Sequence, residues 1–177
     1  MSLVKVNIRD IAYKPGEIRQ LERKETLGET WGEGLAKVES GETIDLDLTL
    51  ESVHEGILVT AAGDTVMRAE CGRCLEEFQE GLRVEFVELF AYNPTEAEEY
   101  GVHGDHVNLE PPLRDAVVLA LPFQPVCRPD CPGLDPETGE LRDKEADADQ
   151  AIDPRWAALA KFSVDTNETV VSDGDND

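Results

Sequence analysis

Residues 44–51 read Ile44-Asp45-Leu46-Asp47-Leu48-Thr49-Leu50-Glu51. Large aliphatic side chains occupy every second position, with acids or a hydroxyl between them. That is the period of a strand with one dry and one wet face, whereas a helix stripe recurs every 3–4 residues. Ser40-Gly41 before it and Glu55-Gly56 after it supply turns. Toward the C-terminus, Ile57 and Val59 begin a next strand, and Gly63-Asp64 reads as a turn into Thr65 to Ala69. Leu82, Val84 and Phe86 alternate again until Val87, Leu89 and Phe90 break the phase, which suggests a bulge. Toward the N-terminus, Val4, Val6 and Ile8 alternate with Lys5, Asn7 and Arg9 in a short strand. Pro15-Gly16 then punctuates the chain, and Glu17 to Lys24 reads as a short charged helix with Ile18 and Leu21 on one side. Strands that follow one another through short turns form an antiparallel meander.

Asn93 to Asn108 is polar and loop-like, with Gly101 and Gly104. Pro111-Pro112 opens a helix, where missing N–H groups cost little. Leu113, Ala116, Val117, Ala120 and Leu121 make its core-facing stripe, and Pro122 and Pro125 end it. The fold class expected is therefore α+β: an antiparallel β-meander sheet or partial barrel packed with two or three short helices, with an acidic flexible C-terminal tail. Residues 1–134 would be one domain and residues 135–150, rich in Asp, Glu, Gly and Pro, an acidic linker. Residues 151–162 would form a short amphipathic helix, capped by Asp153 and Pro154, with Trp156, Leu159 and Ala160 on one face. Residues 163–177 would be a disordered tail.

The chain has 177 residues, a length that fits one domain. Its 39 acidic residues against 16 basic ones leave a net charge of −23. A whole-surface grip on phosphate backbones needs Lys and Arg to displace counterions, and anionic lipid makes the same demand. Both are excluded as general mechanisms, while metals, small ligands and basic proteins remain. Residues 1–30, with 6 basic and 5 acidic residues, are the one balanced segment, so RNA contact would be local and would start there. The first twenty residues carry charges throughout, and no apolar run approaches the ~18 residues of a membrane span. The expectation is a cytoplasmic protein without membrane contact.

In that compartment four cysteines read first as metal ligands, redox thiols or buried thiols. Cys71-Gly72-Arg73-Cys74 is a C-x2-C and Cys127 to Cys131 a C-x3-C. Two such clips can converge four thiolates on one zinc ion, and Gly72 frees the backbone to aim them. Cys71, Cys74, Cys127 and Cys131 are accordingly the candidate ligands of a structural zinc that ties the sheet to the region after the helix. Against this stand the loose C-x3-C and the 52 residues between the pairs, which leave ordinary buried thiols open. A redox pair would open a helix in a βαβ unit, whereas this C-x2-C follows a strand in a meander. His103 and His106 form an H-x2-H in the glycine-containing loop, more often solvated than ligating, and His54 is a surface residue. No P-loop, G-x-S-x-G or H-E-x-x-H occurs, and acid pairs such as Glu76-Glu77 arise by chance at this composition. No enzymatic motif is present.

Several stretches together carry a resemblance: Asn7 to Asp10, Leu48 to Leu58 (LTLESVHEGIL), Cys71 to Leu75 (CGRCL), Leu109 to Pro125 (LEPPLRDAVVLALPFQP) and Asp153 to Leu159 (DPRWAAL). They resemble the YceD family of large ribosomal RNA subunit accumulation proteins, in particular its actinobacterial type, over about residues 4–162. The resemblance implies a cytosolic, non-enzymatic protein that supports accumulation or processing of 23S ribosomal RNA. That branch continues its second cysteine pair into a further knuckle, but here Asp135 and Thr138 stand where cysteines are expected. With so acidic a surface, the partner implied is a basic ribosomal protein or rRNA-processing factor, with direct RNA contact weak or local. A zinc-dependent enzyme acting on RNA is the alternative, and a redox or metal sensor a third reading.

Overall fold

Seven strands and one helix follow in the order β1 (Lys5–Asn7), β2 (Ile18–Thr26), β3 (Ala36–Lys37), β4 (Thr43–Ser52), β5 (Gly56–Glu70), β6 (Glu77–Ala91), β7 (His106–Asn108) and α1 (Glu110–Ala120) in a computed structural model that describes residues 4–94 and 100–142. The alternating stretch lies within β4, with Ile44, Leu46, Leu48 and Leu50 buried. β5 is the spine of the larger sheet. One of its edges pairs along its whole length with β6, from Gly56↔Ala91 to Glu70↔Glu77. The other pairs with β4 from Ile57 to Asp64 and then with β3 at Arg68 and Ala69. β2 adds outside β4, and β1 and β7 make a separate two-stranded sheet. All of these ladders are antiparallel. One core holds the inward residues of β4, β5 and β6 together with Val6 of β1, Val107 of β7, and Leu113 and Val117 of α1. Each fully buried aliphatic side chain of this kind contributes about 1.5–3 kcal/mol over leaving it in water.

The expected α+β arrangement with two or three short helices is corrected. The chain is mostly strand, and α1 is the single helix among the described residues. Glu17 to Lys24, read as a helix, lies almost wholly in β2, whose nine residues pair with β4 from Ile18↔Glu51 to Thr26↔Thr43. Its charges do not oppose a strand, because an edge strand keeps one face and one side in water and charges there discourage stray pairing. Lys24 meets Asp45 of β4 at 2.9 Å. Gly63-Asp64 is not a turn, and β5 runs straight through it. Gly63 is there for closeness: a Cβ would lie 3.0 Å from Leu46 Cδ2 and 3.2 Å from Ile44 Cδ1. No bulge interrupts β6 either. Its inward phase continues through Phe86 to Phe90, while Val87 faces out and is 59% exposed. The loop reading of residues 93–108 ends at β7, where Val107 pairs with Val6 and is fully buried.

α1 begins at Glu110 with proline at its first positions and packs on β6 through its Leu113 and Val117 face. Ala116 and Leu121 are half-buried and pack against the core, whereas Ala120, expected in the same stripe, is exposed. The helix expected over 151–162, the tail 163–177 and the part of the linker beyond residue 142 lie outside the described residues. No described helix is long and apolar enough to cross a membrane.

Candidate metal centre

The inward phase of β5 runs through Met67 and Ala69, and the next position in that phase is Cys71, fully buried just beyond the strand end. The β5–β6 connection, residues 71–76, folds back tightly. Leu75 N–H donates to the Cys71 carbonyl at 2.9 Å and Cys71 N–H to the Glu76 carbonyl at 2.9 Å. That turn brings Cys74 beside Cys71 on the same side. The second pair comes from the segment after α1, where Cys131 N–H donates to the Arg128 carbonyl at 3.0 Å. Gly72 N–H donates to the Pro125 carbonyl at 2.8 Å and so holds the two segments together.

The four sulfurs lie within 4.8 Å of one another. Cys71 Sγ is 3.9 Å from Cys131 Sγ, and Cys74 Sγ is 3.7 Å from Cys127 Sγ. Sulfurs at ~2.3 Å from a tetrahedral zinc would be about 3.8 Å apart, so two opposite edges already have the length the ion requires. Cys71, Cys74 and Cys131 are buried, Cys127 is half-buried, and Phe78 and Val126 pack around them. The donor set, spacing and dry surroundings fit a closed four-thiolate site.

The thiols are electrostatically unlike. Burial alone would push Cys71 up, but backbone N–H groups of Cys127, Cys74 and Arg73 outweigh it and hold the thiol down at about 6. Cys127 is pushed up to about 12, first by burial and then by the thiols of Cys74, Cys131 and Cys71. For Cys74 the Glu76 backbone N–H favours the thiolate, but burial and the Cys71 and Cys131 thiols override it and raise the pKa. Metal-free, the cluster therefore favours a thiolate at Cys71 beside protonated thiols at Cys74 and Cys127.

Arg73 is the residue that spacing alone did not single out. Its guanidinium Nη1 donates to the carbonyls of Pro129 and Cys131 at 3.2 and 3.1 Å, and its own carbonyl accepts from Leu134 N–H at 3.0 Å. One residue of the first clip thus stitches the loop of the second. Just beyond, Asp135 Oδ1 accepts from Glu137 and Thr138 N–H at 2.8 and 3.0 Å, and Thr138 Oγ1 accepts from Glu140 N–H at 3.3 Å. Leu134 and Leu141 bridge across the turn so formed. His103 and His106 close the turn before β7 through paired backbone hydrogen bonds, with ring centroids 6.3 Å apart. His54 is exposed in the β4–β5 turn. Among the described residues, the histidines do not join the cysteine group.

Residues 59–163 match the family described as large ribosomal RNA subunit accumulation protein YceD. The chain belongs to the YceD family. The match takes in most of β5, then β6, α1 and both cysteine pairs. Uncharacterized proteins of Mycobacterium bovis and Mycobacterium tuberculosis are each 39% identical to it over 173 residues, covering 93% of this chain and 84% of theirs. An uncharacterized protein of Mycobacterium leprae is 35% identical over 183 residues, covering 98% of this chain and 84% of its own. No solved structure matches. In this YceD chain the positions where the actinobacterial pattern leads one to expect further cysteines, Asp135 and Thr138, cap backbone N–H groups instead. Side-chain caps close that turn without a metal.

Proposed function

We propose that this chain is a non-catalytic binding factor that supports accumulation or processing of 23S ribosomal RNA through a basic protein partner, with zinc closing its fold. The family match over residues 59–163 carries the reading. The net charge of −23 supports a protein partner over naked RNA, since acidic surfaces attract basic ones and repel phosphates. Cys71, Cys74, Cys127 and Cys131 would hold the zinc. Four thiolates fill a tetrahedral coordination sphere and leave no position for a reactive water, which weighs against an RNA-cleaving metalloenzyme. The ion would supply cross-linking, joining the β5–β6 turn to the segment after α1.

Depletion of the protein in cells, followed by quantifying mature and precursor 23S against 16S ribosomal RNA, tests the reading. A fall in 23S relative to 16S is expected, and an unchanged ratio under full depletion overturns it.

A further inference from the structure

Between the C-terminal end of α1 and residues 30–36 lies an open cleft of about 1030 Å³. Its apolar lining is unusually bare. Leu119 is 86% exposed, Phe123 92%, Val118 42% and Leu35 38%. Four large apolar side chains gathered on one cleft are more than the scattered exposure a surface normally shows. At the bottom, Leu121 sits so close to Gly32 that a Cβ there would meet Leu121 Cδ1 at 2.3 Å.

Both walls are fastened to the cysteine hairpin. Glu70 N–H donates to the Leu35 carbonyl at 2.8 Å, and Gly72 N–H to the Pro125 carbonyl at 2.8 Å. The cleft is therefore a pre-formed feature of the same scaffold that the four cysteines close.

Its charges point to the occupant. Glu33 on the rim has no partner among the described residues, and Asp115 accepts one long bond, from Tyr100 Oη at 3.4 Å. Arg114, the cation of the lining, is spent on Glu29 at 2.8 Å. A smaller pocket sharing Gly34 and Leu35 adds Glu70 and Glu77, which stand directly opposite each other in the β5–β6 register without ion-pair partners among the described residues. Like charges facing across a ladder repel, and a cation arriving there relieves them. Both cations of the smaller pocket, Lys37 and Arg68, are held by Glu39 at 3.4 and 3.1 Å, so an RNA finds no unpaired cation among the described residues of either pocket. A second copy of a −23 chain would bring its own repulsion.

We propose that this cleft docks a basic amphipathic segment of a protein partner, its bulky apolar side chains seated against Leu119, Phe123 and Leu35 and its Lys or Arg side chains meeting Glu33, Asp115, Glu70 and Glu77. The inference rests on the functional reading above and names the surface that reading lacks.

The probe is a labelled 16-residue helical peptide with Leu or Phe at positions i, i+3, i+4 and i+7 and Lys or Arg elsewhere. It is titrated by fluorescence anisotropy with the full zinc-loaded chain. Saturable binding is expected, weakened at least ~10-fold by Leu119→Asp or Phe123→Asp and several-fold by Glu33→Lys, because a hydrophobic anchor and its charged rim act together. Both apolar positions are exposed, so the variants keep the fold. Equal affinity for wild type and the aspartate variants overturns the proposal. So does a photo-crosslink from position 119, in cells, to RNA, to a second copy or to residues 151–162 of the same chain. Co-sedimentation with large-subunit particles separates the two levels. If wild type and Phe123→Asp co-sediment equally, the cleft assignment falls and the function stands. If wild type itself never co-sediments with such particles or their precursors, the functional reading falls, while the anisotropy result still decides what the cleft binds.

Discussion

At the scale of single residues, the cysteines differ from one another in ways that set how metal loads. A proton must leave Cys74 and another Cys127, both raised, while Cys71 at about 6 is already largely thiolate at neutral pH. Protons therefore compete with zinc, and apparent affinity falls as pH falls, by roughly two orders of magnitude per pH unit near neutrality for two displaced protons. Calorimetric titration with zinc in buffers of differing ionisation enthalpy checks this. Release of at least about two protons per ion is expected at pH 7, and release of none would show that these thiols are not the ligands. The stoichiometry gives a second prediction. Elemental analysis of purified chain should find about one zinc, and Cys74→Ser should lose it, because three thiolates bind zinc far less tightly than four. Arg73→Met should leave all four sulfurs in place yet loosen residues 128–134. The expected sign is faster amide hydrogen exchange at Leu134 and weaker zinc retention against a chelator, since outer contacts hold ligands in position. C-x2-C and C-x3-C spacing made the meeting of the four sulfurs an expectation, with ordinary buried thiols left open, and the fold does bring them within 4.8 Å of one another. Arg73 was not legible in the sequence, because its role depends on carbonyls 56 and 58 residues away, which only the folded chain brings near.

At the scale of elements, legibility followed burial asymmetry. β4 was plain because one of its faces is dry and the other wet, so hydrophobicity tracks the pleat. β2 reads as a helix because an edge strand of mixed charge has no such contrast, and Ile18 and Leu21 are spaced three apart. β5 reads as two strands because Gly63-Asp64 is a good turn sequence locally, and what overrides it is contact with Leu46, Ile44 and Val84. That account can be tested with glycines. Gly56→Ala places a Cβ 2.1 Å from the Phe90 carbonyl oxygen, a backbone atom that cannot swing away. The cost expected is about 1–3 kcal/mol or more, read from denaturant melts. Gly63→Ala meets side-chain methyl groups rather than backbone, at 3.0–3.2 Å, and should cost less than Gly56→Ala. The reverse order would mean that Gly63 is held by something other than side-chain packing. Leu46→Ala, by contrast, empties the core and should cost about 2–5 kcal/mol.

At the scale of the whole molecule, charge acts on stability and on association with opposite signs. A net of −23 on 177 residues repels itself in the compact state, so added salt should stabilise the fold by screening. The ion pairs among the described residues that salt would weaken lie at the surface, for example Lys24–Asp45 and Arg83–Asp64, where solvent already screens them and they add little to stability. The same screening should slow capture of a basic partner, because long-range attraction fades once the Debye length drops from about 30 Å at 10 mM salt to about 8 Å at physiological strength. Raising NaCl from low to physiological strength should therefore raise the melting temperature while lowering the association rate for a basic peptide or ribosomal protein, with dissociation changed much less. Thermal melts and stopped-flow association on one preparation read both. If salt speeds association, the acidity does not steer the partner, and a contact through the balanced first thirty residues becomes the better account. Screening also separates the two parts of the cleft: Phe123→Asp should weaken binding at every salt concentration, whereas Glu33→Lys should matter most at low salt and fade as salt rises.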